Sequence, residues 1–445
     1  MRDVLILTVI VLSLLAAFRH PFAGILLWAW FSLMTPHLMA YGVYGIPLNA
    51  IIAAGTIASC FAHGEFQRVR ITPISVLLVI FALLLYFSQL FSLAPEVSGE
   101  YFDRFFKTLI FIILISLTAT TKLRVNALVW MLVISIGYFG AKGALFTLVT
   151  LGEYRVQGVT KAILEDNNHM GIALVSILPM ILYLRGQSSV ALVKHGLAVL
   201  VGLCVLAIIG THSRGAFVSL VAFAGFLWLQ SKHKIAITAA LALMIPPAIA
   251  FMPSKWMDRM NSIQTATQDE SFMGRVLSWQ NNWELAKQNP FTGAGLRVAY
   301  EPDVVAREIS PERADSAIAA HSIYFEILGG AGFLALAIYL SIFAVAFLTS
   351  TSLAREPVKG RFAALDHKAH PLWARRFGYF AQISLVAFGL GGASVSLEMW
   401  DGYWIIIALV AASAAIPGYK DKKETVGITP NHWRVNARMG SERMS

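Results

Sequence analysis

The sequence predicts an all-α bundle that crosses a membrane many times. Hydrophobic residues make up 57% of its 445 positions and charged residues only 13%, and the mean hydropathy is +0.66, too apolar for a water-soluble domain of this size. Apolar stretches of about 20 residues, long enough at about 1.5 Å per residue to cross the hydrocarbon core, recur along most of the chain. Barrel strands would alternate apolar and polar positions, whereas these runs are apolar all round.

About 13 helices of this kind are expected, near residues 4–18, 21–34, 46–62, 73–93, 105–120, 125–150, 169–185, 191–210, 215–230, 235–252, 321–349, 377–397 and 402–417. The first resembles a signal-peptide core, but Arg19-His20-Pro21 and an immediate second apolar run argue for a retained helix. Cys60 and Cys204 fall inside helices and read as small buried hydrophobes.

The net charge of +10 is arranged for topology rather than for nucleic acid. Residues 351–376 and the tail from 418 are rich in Lys and Arg, as cytoplasmic segments are. Counting back from a cytoplasmic C-terminus puts 63–72, 120–124, 185–190 and 231–234 on the same side. It puts 36–45, 94–104, 151–168, 211–214 and 253–320 on the outer side. The N-terminus then falls outside with an odd number of helices and inside with an even one. The long loop 253–320 carries 7 Lys/Arg against 9 Asp/Glu, so nothing in it resembles a nucleic-acid patch.

Three regions are expected: an N-terminal transmembrane region, 1–190; a second set, 191–350, enclosing the long outer loop; and 351–445, a basic loop, a helical pair and a basic tail. Within the outer loop Phe272, Val276, Trp279, Trp283 and Ala286 recur at helical spacing and trace an apolar stripe. Asn289-Pro290 ends it. An amphipathic helix with two Trp on its apolar side suits the membrane interface, lying flat on it.

Several polar residues at the outer end are candidates for chemistry. Arg214, in the short turn Thr211–Gly215, either snorkels toward headgroups or presents a guanidinium fork to phosphate oxygens. Arg275 is expected in the first turn of the amphipathic helix, with Ser271 as N-cap, where only a bound anion or a carboxylate such as Asp269 or Glu270 reconciles a cation with the helix dipole. His321 is placed near the outer start of a helical run beginning around Ser316, with Tyr324 close by on the same helix. A neutral imidazole there is suited to taking a proton near neutral pH. Lys142, between Gly140 and Gly143 in an apolar helix, either snorkels or faces a polar cavity. Arg155 and Lys161 in the second outer loop are candidates for an anionic substrate, while the Glu165–His169 cluster beside them reads largely as helix capping. His367 and His370 have zinc-like spacing but sit in a basic loop with no Cys cluster, so no metal is expected. Gly293-Ala294-Gly295 lacks the strand of a nucleotide-binding motif and reads as a turn.

These segments occur in an ordered set: MRD at the start, Trp28-Ala29-Trp30 followed by MTPH to residue 37, YFGAKGALFTLVTLGEYRV at 138–156, EDNNH at 165–169, GTHSRGA at 210–216, MGR at 273–275 and AAHSIYFEILGGAGF at 319–333. The set resembles the O-antigen ligase and polymerase superfamily, and more closely its O-glycosylation ligases associated with exosortase A systems, over most of the chain to about residue 350. The resemblance implies a metal-independent glycosyltransferase without a cofactor, whose donor is a glycan on undecaprenyl diphosphate. Arg214 and Arg275 would bind the diphosphate, and His321 would assist or deprotonate the acceptor hydroxyl. The acceptor would be a protein, a glycan or a lipid, and exosortase or polysaccharide-export proteins are conceivable partners. One departure is Gly330, near which the subgroup pattern has an acidic residue; Glu326 substitutes only if it points the same way. A repeat-unit polymerase is the rival within this chemistry. A flippase or transporter of the lipid-linked glycan is the rival outside it, weakened because Glu326 and Glu398 are the only evident carboxylates in or near helical runs.

Overall fold

The computed structural model describes residues 2–39, 45–68, 70–230, a few residues between 234 and 242, 270–355 and 370–416. Within these the chain is helical, with α1 (Arg2–Arg19), α2 (Pro21–Met34), α3 (Leu48–Ala62), α4 (Pro73–Leu90), α5 (Pro95–Thr118), α6 (Lys122–Val149), α7 (Asn167–Gln187), α8 (Ala191–Gly210), α9 (Arg214–Gln230), α10 (Glu270–Gln288), α11 (Pro302–Glu308), α12 (Ile323–Ala354), α13 (Leu372–Gly392) and α14 (Asp401–Ala415). Five of them, α4, α6, α7, α8 and α12, are long and apolar enough to cross a membrane. The fold is that of a polytopic all-α membrane protein. The expected helix at 235–252 and the basic segments 356–369 and 417–445 lie outside the described residues.

Several boundaries differ from the sequence reading. Residues 95–104, expected as an outer loop, form the first turns of α5, which Pro95 opens at a position where a missing N–H costs nothing. The charges that disguise this stretch point outward, and Lys107 pairs with Asp103 one turn below it. Helix α13 ends at Gly392 rather than near 397, leaving 393–400 as a non-helical link that is buried from Val395 onward.

The bundle closes around α7 and α14. Every residue of α14 from Gly402 to Ser413 is buried, and an aromatic layer of Phe81, Phe105, Tyr339, Tyr403 and Trp404 packs across it. Outward faces of α1, α4, α6 and α8 instead expose Leu and Val to the surroundings, as lipid-facing staves do.

Cross-links sort the loops to two ends. At one end Arg124 forms a two-pronged pair with Glu65 at 2.7 and 2.8 Å, Arg70 donates to the Ala415 carbonyl and Arg376 to that of Gly186. At the other, Leu93 N–H bonds the Ala294 carbonyl at 2.9 Å and His212 bonds that of Gly152. Each of these contacts joins loops that the charge count assigns to the same side.

Helix α12 is broken at Gly332, whose φ of 82° and ψ of 178° leave the helical region. The carbonyls of Gly329 and Gly330, released from the helix ladder, accept instead from Ala294 N–H at 2.9 Å and Gly295 N–H at 3.0 Å, and Phe333 N–H donates to the Pro290 carbonyl at 2.9 Å. A Cβ on Gly293, at φ 66°, would stand 2.4 Å from the Ala331 nitrogen, so this contact requires glycine.

Candidate functional site

The turn that carries Arg214 is built by the end of α8 and the cap of α9. Ser213 caps α9, its hydroxyl accepting from Ala216 N–H at 3.2 Å, and His212 turns the chain at φ 55°. Two neighbours hold the turn. Asn167, first residue of α7, donates its amide to the Thr211 carbonyl at 2.7 Å, and Val156 N–H bonds the Gly210 carbonyl. Arg214 is half-buried, and the adjacent Gly215 lies so close to Ser394 that a Cβ there would come within 2.0 Å of its hydroxyl.

From the other side Arg275 reaches the same link, donating from Nη1 to the Ser394 carbonyl at 3.5 Å. Ser394 therefore lies between the Arg214 turn and Arg275. The expected local setting of Arg275 is corrected: α10 starts at Glu270, so Ser271 lies inside the helix rather than capping it, and Arg275 sits in the second turn.

The apolar stripe of α10 is a packing face rather than a lipid face alone. Trp279 stacks on Phe325 with ring centroids 5.3 Å apart, Trp283 meets Phe333 edge-on, and Ala286 is fully buried. The opposite surprise is polar. Ser278, Asn281 and Asn282 are buried: Ser278 donates to the Ile318 carbonyl at 2.7 Å and Asn281 to that of Ser316 at 3.1 Å, holding the segment ahead of α12, while Asn282 donates back to the Ser278 carbonyl of its own helix at 2.9 Å.

His321 is not in a helix. The segment 311–316 is a short 3-10 turn and α12 begins at Ile323, leaving His321 in left-handed backbone at φ 47°, a strained conformation for a non-glycine residue. The preceding residue is held at both its carbonyl and its N–H: the Trp279 indole donates to the Ala320 carbonyl at 2.7 Å, and Ala320 N–H donates to Glu326 Oε1 at 3.0 Å. The Nδ1 atom of His321 is buried without a hydrogen-bond partner. Burial, reinforced by the charges of Arg275 and His169, lowers its pKa to about 4, so the imidazole is neutral across the physiological range.

Behind this loop lies a buried ionic network. Arg297, held at φ 64° in the tight turn after Gly295, donates to Glu398 Oε1 at 2.6 Å, lies 3.9 Å from Glu326 Oε1, and stacks over the rings of Tyr101 and Tyr300. Glu326 Oε1 also accepts from the Tyr300 and Ser396 hydroxyls, each at 2.6 Å. Burial works against the charge on Arg297, but the carboxylates of Glu398 and Glu326 outweigh it and raise its pKa. Burial likewise pushes Glu398 up, partly offset by Arg297, and burial with the Glu326 charge pushes the Tyr300 phenol up.

Sequence reasoning did not find Arg297, Tyr300 or Ser396 as parts of a site. Glu326 and Glu398 were conspicuous as carboxylates near helical runs, and Arg297 follows a double-glycine turn. That turn was the available signal. Glu326 points into the loop that carries His321. Gly330 has little space for a side chain, since a Cβ would stand 3.1 and 3.2 Å from atoms of Leu296.

The structure gathers Arg214, Arg275 and His321 at one end and leaves the other candidates more peripheral. Lys142 is exposed on the outer face of α6, and Arg155 and Lys161 are exposed on the loop that covers the Arg214 turn. The Tyr324 hydroxyl donates to the Gly389 carbonyl at 2.7 Å, tying α12 to α13. The capping expected of the acidic cluster is present, with the Asp166 carboxylate accepting from Asn168 N–H at 2.8 Å and His169 N–H at 3.3 Å.

Comparison with known proteins gives two matches that between them cover most of the chain. Residues 1–189 match a family of unknown function. No curated protein matches. Residues 198–340, which contain Arg214, Arg275, Arg297, His321 and Glu326, match the O-antigen ligase family, and this supports a place for the chain in the superfamily of membrane glycan ligases and polymerases.

Proposed function

We propose that this protein transfers a glycan from undecaprenyl diphosphate to an acceptor hydroxyl at the periplasmic face of the bacterial inner membrane, in O-glycosylation or surface polysaccharide assembly. The observation that carries the reading is the meeting of Arg275 and the Arg214 turn at Ser394, beside a neutral His321. In the transfer, the acceptor oxygen bonds to the anomeric carbon as the bond from that carbon to the diphosphate breaks. Negative charge builds on the leaving diphosphate, where two guanidinium groups fixed in advance are most effective. The proton of the acceptor hydroxyl goes to His321.

Arg275 is one cause of the low basicity of His321. A diphosphate bound to Arg275 offsets that charge, so the imidazole becomes a better base when the donor is in place. The site thereby favours proton removal in the loaded state.

The test is transfer from a labelled lipid-linked glycan by the full-length protein in membranes, with products analysed against protein, lipid and glycan acceptors. Arg275→Ala and His321→Ala are each expected to abolish transfer while the protein remains folded. Near-normal transfer by either variant overturns the assignment. Movement of the lipid-linked glycan across vesicles without a new glycosidic product also overturns it.

A further inference from the structure

His169 opens α7 beside the Arg214 turn and has no role in the reaction described so far. Its main chain is fixed by the Asp166 cap, and its neighbour Asn167 holds Thr211. Its ring is fixed as well, because Nδ1 lies 2.8 Å from the Ile163 carbonyl. A carbonyl only accepts, so Nδ1 carries the hydrogen and, in the neutral ring, Nε2 is left with a lone pair. The Ile163 carbonyl is itself held in place by the closed loop around it, where Gly158 N–H bonds the Glu165 carbonyl and Lys161 N–H bonds the Glu165 side chain.

That Nε2 lone pair is buried and receives no hydrogen bond. Its surroundings are those of the site: His169 is near enough to act on His321, and both Arg297 and Glu326 act on it. A buried acceptor without a donor is costly, and where one persists at a site a ligand is a natural donor. His321 Nδ1, also buried and unbonded, belongs to the same region.

We propose that His169 Nε2 accepts a hydrogen bond from a hydroxyl group of the bound substrate, making His169 a second imidazole of the site alongside His321. This rests on the glycan-transfer reading. A sugar hydroxyl of the donor and the acceptor hydroxyl share the required chemistry, and the measurement separates them. No proton transfer to His169 is invoked.

Two replacements divide the functions of the ring. His169→Asn keeps an amide N–H at the Nδ1 position, preserving the bond to Ile163, and removes Nε2. His169→Gln carries its carboxamide oxygen outward toward the Nε2 position. With full-length protein in membranes and a labelled lipid-linked glycan, His169→Asn is expected to keep the wild-type thermal midpoint and lose tenfold or more in transfer, with His169→Gln recovering part of the loss. A raised KM for the lipid-linked glycan assigns the hydroxyl to the donor, and a raised KM for the acceptor assigns it there.

A second readout is independent of turnover. The thermal shift given by each substrate is measured for both proteins, with undecaprenyl diphosphate lacking sugar as the reference lipid. His169→Asn is expected to shrink the shift from one hydroxyl-bearing substrate and leave that of the sugarless lipid unchanged. Wild-type transfer and unaltered shifts in His169→Asn overturn the proposal, as does a loss of transfer matched by an equal loss of thermal midpoint in both variants. Absence of transfer by the wild-type protein overturns the function reading instead, and the shifts still decide the hydroxyl contact.

Discussion

Arg297 and Glu398 meet at 2.6 Å although 101 residues separate them in the chain, and the pair joins the link after α13 to the turn that supports the His321 loop. Removing one member of a buried pair strands the other charge, at a cost of about 3–5 kcal/mol. Arg297→Met is therefore expected to lower the thermal midpoint steeply, leaving Glu398 and Glu326 to repel one another. Glu398→Gln, which keeps an acceptor for the guanidinium, is expected to cost less. A thermal midpoint within a degree of wild type for Arg297→Met would show that the network contributes nothing to stability.

Trp279 fixes the His321 loop through a single indole N–H to the Ala320 carbonyl. Trp279→Phe preserves an aromatic ring against Phe325 and deletes that bond, at a cost of about 1 kcal/mol. The expected signature is a small drop in thermal midpoint with a larger fall in kcat than in donor affinity, because His321 loses its placement and the arginines do not. Equal falls in kcat and affinity would contradict a positioning role.

The depressed basicity of His321 has a definite sign. Its folded pKa of about 4 lies below the ordinary 6.5, so the unfolded chain takes up the proton first as pH falls. Stability attributable to this residue is complete above about pH 6.5 and declines as pH falls from there toward 4. Thermal midpoints measured across that window are expected to fall less in His321→Gln than in wild type. Arg275→Gln is expected to lie between them, since it removes one of the causes after burial.

Gly330 faces Leu296 at a distance that leaves little room for a Cβ, and its carbonyl accepts from the Ser88 hydroxyl at 2.7 Å. Installing an acidic residue there, Gly330→Asp, is expected to destabilise the protein by about 1–3 kcal/mol through overpacking against the 293–296 turn. A variant with wild-type thermal stability and higher transfer would show instead that the turn moves aside and the carboxylate is useful.

Much of the helical frame was legible because period, length and charge report on single segments: α2 and α8 occupy the predicted spans, and Asp166 caps α7 as its spacing suggests. The start of α5 was hidden by charge, since Glu96, Glu100, Asp103 and Arg104 look like a loop until one sees that a helix can project beyond its apolar portion. The network around Arg297 was hidden for a different reason. Arg297 and Glu398 sit in irregular segments and Glu326 in the first turn of α12, and only the tertiary fold brings residues 297, 326 and 398 together. Ser278 and Asn281 carry no signal of their own in the sequence, because polar positions on an amphipathic helix ordinarily face water, whereas here they supply hydrogen bonds to a segment with no helix ladder of its own.

The break at Gly332 divides α12 mechanically. Its first nine residues, Ile323 to Ala331, are bonded sideways to the 290–295 turn and packed under α10, Phe333 just past the break still touches that turn and Trp283, and the stretch beyond it is stacked among the other staves. A load on the end of the molecule that carries His321 would therefore find the interrupted helix ladder at Gly332 the easiest place in α12 to bend. The wall of the bundle would stay still while the floor beneath His321 tilts.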